Sequence, residues 1–291
     1  MNLGTALFME SIGVCHLVRE VNGTEPVKKF IESYVSNPCG VEHELVVVFK
    51  GFANEVIPAE YREILEPVEY RPIFLSDRGF DIGSYFEASE RMEHQFVCFL
   101  NSFSLILSEG WLEKLHQNML KPQAGLVGAT ASYESHYANF LSHIEKAKNV
   151  RSSNPLRRWV GDYRRQQTLR GIEQHFAPFP NYHIRTNAFM LSRTTMLSLK
   201  RGEFNEKIDA ERFESGKNGL TRQIYEQGLE ALVVGRDGNG YKKGDWPVSR
   251  TFRSGSQENL LVGDNRTQHY LEATDMERQQ MREQTWGKSK S

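Results

Sequence analysis

The sequence predicts an α/β fold: a mostly parallel, doubly wound sheet flanked by helices, in one domain whose second half is less regular. Three observations predict it. Short apolar runs of strand length recur at 14–19, 45–49, 71–75, 96–100 and 125–129. Segments with helical spacing of apolar residues fill the gaps between them, and that alternation builds parallel sheets. The run at 45–49 (LVVVF) is continuously apolar, as in a strand covered on both faces.

Each element can be read in turn. VCHLVR (14–19) is a short strand. Over 26–35, Val27, Phe30, Ile31 and Tyr34 fall on one helix face. The second strand, 45–49, is followed by a short helix over 60–65, and 71–75 is a third strand. SDRGFDIGSYFEASERM is a glycine-punctuated loop that enters a helix. The fourth strand, FVCFL (96–100), runs into Asn101-Ser102-Phe103-Ser104. Trp111, Leu112, Leu115 and Met119 line the next helix, and 125–129 is a fifth strand. Beyond it, 140–175 reads as a basic helical excursion, with Arg157, Arg158, Arg164, Arg165 and Arg170. Its two readings are a solvated surface and a face for an anionic acceptor or lipid headgroups. Strand character returns at 187–191, a helix is expected over 213–227, a strand at 232–234, and a helical or frayed tail from 272 to 291.

Bulk composition excludes some classes. Net charge is −1 and pI about 6.8, which argues against nucleic acid as a partner. Cys15, Cys39 and Cys98 show no CxxC spacing and read as buried thiols in a reducing compartment. The start lacks the pattern of a signal peptide, and no apolar run approaches the roughly 20 residues of a membrane span. A cytoplasmic protein is expected, with peripheral membrane contact left open.

In an open parallel sheet, ligands bind beyond the carboxyl ends of the strands. That places Arg19, Lys50, the loop 76–84 and the loop 101–104 at the expected site. Asp77, Gly79, Asp81 and Gly83 form D-x-G-x-D-x-G. A calcium loop would need further ligands at fixed spacing, and these are missing. Asp81 or Ser84 as a helix cap is compatible with ligand contact, and the glycines would let a base or ribose approach the backbone.

The element order, the D-x-G-x-D-x-G-S-Y helix opening, the strand FVCFLNSFS, the helix GWLEKL and the closing strand GLVGATASYES resemble family 2 inverting glycosyltransferases and related GT-A enzymes. The resemblance covers roughly residues 14–245. It implies a nucleotide-sugar-binding half over 1–130, an acceptor-binding half over 131–270 as an extension of the same domain, and a polar tail over 271–291. It implies a nucleotide-sugar donor and a glycan or glycolipid acceptor, with Arg19, Lys50, Asp77, Asp81, Gly83, Asn101 and Ser102 toward the donor.

The chain departs from the family where the cation binds. The family's Asp-x-Asp matches Asn101-Ser102-Phe103, which supplies no carboxylate pair, although hard cations prefer charged oxygen ligands. No cofactor or protein metal site is therefore expected, while Mn²⁺ and Mg²⁺ stay open. A metal-free site must meet the leaving diphosphate with cations. Lys242, Lys243, Arg250 and Arg253 are the candidates, with the two arginines suited to bidentate contact. The family's catalytic carboxylate aligns with Glu214, and Gly216 falls where its second acid would stand. Asp209 and Glu211 are nearby alternatives. The bland reading of Glu214 is an acid favoured by a helix N-terminus. His183, Arg185 and Asn187 alternate along an apparent strand and would share an acceptor-facing side. Two other readings compete: a non-catalytic nucleotide- or glycan-binding relative, and a nucleotidyltransferase. MNLGTALFMESIG matches the latter's signature poorly, and a Rossmann dehydrogenase is disfavoured because no G-x-G-x-x-G follows the first strand.

Overall fold

The computed structural model describes residues 11–148 and 155–288. The first ten residues and the side chains of Arg157 and Arg158 lie outside this set. The first half runs β1 (Ile12–Arg19), α1 (Glu25–Ser36), β2 (Glu44–Lys50), α2 (Ala59–Leu65), β3 (Arg71–Leu75), α3 (Phe80–Arg91), β4 (Phe96–Leu100), β5 (Leu105–Ile106), α4 (Trp111–Met119), β6 (Ala124–Gly128) and β7 (Ala131–Ser132). The second half runs α5 (His136–Lys148), α6 (Pro155–His175), β8 (His183–Ile184), β9 (Ala188–Ser192), α7 (Arg193–Ser198), α8 (Lys207–Ser215), α9 (Leu220–Glu226), β10 (Glu230–Val234), β11 (Gly240–Tyr241), β12 (Val262–Gly263), α10 (Asn265–Glu272) and α11 (Asp275–Trp286).

Eight strands form one sheet in the order β11-β10-β6-β9-β4-β1-β2-β3. β1 to β4 are parallel, as are β6 and β10, while β9 runs antiparallel to both of its neighbours, β4 and β6. The expected mostly parallel, doubly wound class is the one observed. Strand residues feed two cores by alternation. Val14, Val47, Phe49, Cys98 and Leu100 pack on the side of α1, α2 and α4. Cys15, Leu17, Val46, Val48 and Phe99 pack on the side of α3, α7, α8 and α9. This two-sided burial explains why the strands read as unbroken apolar runs. Trp111, Leu112, Leu115 and Met119 of α4 are all buried, and the three cysteines are buried free thiols. Among the described residues no helix is long and apolar enough to cross a membrane.

Three local expectations need correction. Neither Asp81 nor Ser84 caps α3. The N-cap is Gly79 at φ 75°, a left-handed conformation that suits glycine, and Ser84 Oγ donates to the Phe80 carbonyl at 3.0 Å. The helix expected over 213–227 is two helices, because the intervening backbone folds tightly on itself. A Cβ on Gly216 would stand 2.3 Å from the Arg212 carbonyl oxygen, and one on Gly219 would stand 2.7 Å from that of Phe213. The strand imagined through His183, Arg185 and Asn187 is broken by a turn between β8 and β9. There Arg185 N donates to the Thr130 carbonyl and the Asn187 carbonyl accepts from Asn101 N, each at 3.0 Å.

Candidate active site

Parallel register brings the ends of β1, β2 and β3 level, with Arg19 beside Lys50 and Lys50 beside Leu75. Asp77 follows β3 and meets both basic side chains. Arg19 Nη2 donates to Asp77 Oδ1 at 2.9 Å and to Oδ2 at 3.0 Å, and Nε donates to Oδ1 at 3.1 Å. Lys50 is fully buried, with Nζ donating to the Phe80 carbonyl and lying 3.9 Å from Asp77 Oδ1. Burial pushes the Lys50 ammonium down from its ordinary value, against the opposing pull of Asp81 and Asp77. Burial pushes the Asp81 carboxyl up, Lys50 and Arg19 oppose this, and Glu214 adds to it. A cavity of about 370 Å³ opens here, lined by Arg19, Lys50, Asp77, Gly79, Phe204 and Asn205 among others. Gly83 is buried one turn into α3, its N–H donating to the Gly79 carbonyl at 2.7 Å. Close approach of the backbone to this cavity therefore falls to Gly79.

Glu214, on α8, lies close enough to act on Asp81. Its Oε2 accepts from Thr186 N at 2.9 Å and from the Thr186 hydroxyl. No described residue donates to Oε1. Burial would raise the Glu214 carboxyl, but His183, Arg185, Arg266 and the Thr186 hydroxyl outweigh it and hold the group well below the usual carboxylate range. His183 is itself pushed down by burial. It is therefore neutral near pH 7, and the pull on Glu214 that persists there comes from the two arginines and Thr186. The His183 Nδ1 lies 2.8 Å from the Asn181 carbonyl, which fixes the proton on Nδ1 of the neutral ring.

The structure does not present Arg185 and Asn187 on a shared face with His183. Arg185 is buried, pairs with Asp264 at 2.6 Å and stacks on Phe252 at 4.2 Å. The Asn187 Oδ1 accepts from Thr130 Oγ1 at 2.6 Å. Both side chains hold the turn that presents Thr186 to Glu214. The two phosphate candidates separate as well. Arg253 reaches Glu134 at 3.3 Å, within the field of Arg185 and Arg266. Arg250 faces solvent and is spent on Glu258 at 2.7 Å, so it does not join the cluster. Lys242 is likewise paired with Glu230 at 2.9 Å.

The Asp-x-Asp positions do not suit a divalent cation. Asn101 Oδ1 accepts from Phe103 N at 3.0 Å and from Ser104 Oγ at 3.2 Å, closing a turn on itself. Phe103 offers no oxygen ligand in its side chain, and Ser102 Oγ is buried without a partner among the described residues. Nor do three or more His, Cys, Asp or Glu side chains converge anywhere in that set.

Sequence reasoning missed Thr186, Glu134, Asp264 and Arg266. Asp264 carried a legible signal: with Thr267 it forms a capping box, its Oδ1 accepting from Thr267 N at 2.9 Å. Arg266, two residues on, forms no hydrogen bond or ion pair among the described residues, yet its charge acts on Glu134, Glu214 and Arg253. A second cavity, of about 380 Å³, lies along Asp209, Arg212, Phe213 and Gly216 of the α8 region. Of the carboxylates considered for the base, Asp209 lines it and Glu214 does not.

No protein-family model and no curated protein matches the chain. Among solved structures, it is similar to the mannosyltransferase PcManGT from Pyrobaculum calidifontis in complex with GDP-Man and Mn²⁺, at 11% identity over 85% of this chain and 62% of that one, TM-score 0.43. It is also similar to glucosyl-3-phosphoglycerate synthase from Mycobacterium tuberculosis in complex with Mn²⁺, UDP and phosphoglyceric acid, at 12% identity over 64% of this chain and 57% of that one, TM-score 0.38. A third is 4-diphosphocytidyl-2C-methyl-D-erythritol synthase from Anaerococcus prevotii, at 12% identity over 77% of this chain and 88% of that one, TM-score 0.43. The chain spans less than two-thirds of the length of the two glycosyltransferases.

Proposed function

We propose that this protein is an inverting, metal-independent glycosyltransferase that moves a sugar from a nucleotide-sugar donor to a hydroxyl of a glycan or lipid-linked acceptor. The observation that carries the reading is Glu214. It is ionised, fixed through one oxygen by Thr186, open at the other, and close enough to Asp81 at the sheet edge to raise that carboxyl. On this reading the nucleoside lies in the cavity at Arg19, Lys50 and Asp77, with Asp81 near Lys50. Glu214 Oε1 takes the acceptor proton, the acceptor oxygen bonds to the sugar's anomeric carbon, and the bond from that carbon to the diphosphate oxygen breaks. The electron pair leaves with the nucleoside diphosphate, and Arg253 and Arg266 offset its charge. Asn101 and Ser102 hydrogen-bond ribose or phosphate oxygens, and His183 borders the acceptor.

A second reading, a non-catalytic nucleotide- or glycan-binding relative, is favoured by the absent carboxylate pair at Asn101 and Phe103. One experiment separates the two. Purified protein is incubated with each common nucleotide sugar in EDTA, and release of free nucleotide is followed for the wild type and Glu214→Gln. Release by the wild type that the variant abolishes supports the transferase. Release by neither, with nucleotide still bound, supports the non-catalytic relative.

A further inference from the structure

Helix α6 is 21 residues long, about 30 Å at 1.5 Å per residue. Its C-terminal end is anchored in the body. The His175 carbonyl accepts from Lys217 N at 2.8 Å, and Phe176, just beyond, is buried against His136 at 4.5 Å. Its N-terminal half is different. Trp159 and Tyr163, one turn apart, are 66% and 54% exposed, and their rings stack 6.0 Å apart at 21°. Gln166 and Arg170 continue the same face at helical spacing and are also exposed. Among the described residues these aromatic rings cover no core.

Charge on this segment is one-sided. Residues 140–175 hold eight lysines and arginines against three acids, in a chain of net charge −1. Arg165 is paired with Asp162 at 3.2 Å, whereas Arg164 and Arg170 form no ion pair among the described residues.

We propose that this face of α6 docks the protein on an anionic lipid surface. Trp159 and Tyr163 enter the boundary between headgroups and acyl chains, where amphipathic rings are favoured, and the arginines sit among the lipid phosphates. A lipid surface fits better than a nucleic-acid strand. Stacking sites for single strands lie in basic grooves that track the backbone, and this pair stands exposed on one helix. The acceptor class that docking implies, a lipid-linked hydroxyl, rests on the transferase reading; the docking itself does not.

The test is flotation of the full chain with vesicles of phosphatidylcholine alone, and with vesicles that also contain phosphatidylglycerol. Nucleotide binding is measured on the same preparations. The protein is expected to float only with anionic vesicles and to be released by salt. Trp159→Ala/Tyr163→Ala and Arg164→Glu/Arg170→Glu should each cut the bound fraction about tenfold, with helix content unchanged. Equal flotation with both vesicle types, undiminished flotation of both variants, or retention on single-stranded RNA with none on vesicles would each overturn the proposal. Flotation by a protein that binds no nucleotide would leave the docking intact and remove the transferase reading.

Discussion

Glu214 on α8 gathers both donors of Thr186, its backbone N–H at 2.9 Å and its hydroxyl, onto the single oxygen Oε2. A carboxylate held in this way is oriented and keeps its other oxygen for an incoming proton. Glu214→Gln preserves the shape and removes the basicity. Turnover should fall by about 10²–10⁴-fold, the usual contribution of a general base. The nucleotide Kd should stay within a factor of about two, because the donor pocket does not include this residue. Steady-state kinetics beside calorimetry checks both.

The Thr186 hydroxyl is one of the groups that lower the Glu214 carboxyl. Thr186→Val keeps the β-branched shape and deletes that donor, so the Glu214 pKa should rise. Because the base works ionised, the rate falls as pH drops through its pKa. The acid limb of the pH–rate profile should therefore move to higher pH in the variant, with the rate near pH 7 changed little. An unmoved limb would mean that another group sets it.

His16 lies in β1, fully buried and stacked on Phe30 at 3.6 Å, with neither ring nitrogen hydrogen-bonded among the described residues. Burial lowers its pKa from 6.5 to about 3. The folded pKa lies below the unfolded one, so between these values the unfolded chain binds the extra proton. Its contribution to stability is full above pH 6.5 and is lost as pH falls toward 3, at about 1.4 kcal/mol per pH unit. Urea denaturation across this range should show that slope in the wild type and its loss in His16→Leu.

The Arg185–Asp264 pair is buried, with side chains only 6% and 1% exposed. Breaking it by Arg185→Met leaves an unpaired buried carboxylate and should cost about 3–5 kcal/mol. Asp264→Asn on top of Arg185→Met removes that charge while keeping an N-cap for α10, and should recover most of the loss. Denaturant titration of the single and double variants tests the coupling.

The central sheet was legible because its strands are buried on both faces, so Val46, Val47 and Val48 announce a strand whichever core they enter. Arg19, Lys50 and Asp77 were legible as site candidates for a related reason: Arg19 and Lys50 end parallel strands, Asp77 stands two residues beyond a third, and register brings the three strand ends level. The turn at 185–187 was not legible. It is set by long-range bonds, from Arg185 N to Thr130 and from Asn101 N to Asn187, and alternation along HIRTN is equally compatible with one unbroken strand. The fate of the arginines was hidden for the same reason. Arg185, Arg250, Arg253 and Arg266 look alike in sequence, and only the fold ties Arg185 to Asp264, Arg250 to Glu258 and Arg253 to Glu134 while leaving Arg266 without a partner among the described residues.

The central claim is a nucleotide-sugar site that needs no carboxylate-bound cation. It is tested most directly by calorimetric binding of UDP, GDP, CMP and dTDP to the wild-type protein, each in EDTA and in Mn²⁺. The account predicts that one nucleotide binds with the same Kd in both, and that Arg19→Ala weakens it about tenfold by removing a charged contact. Binding that appears only with Mn²⁺, or no binding of any nucleotide in either condition, would contradict it.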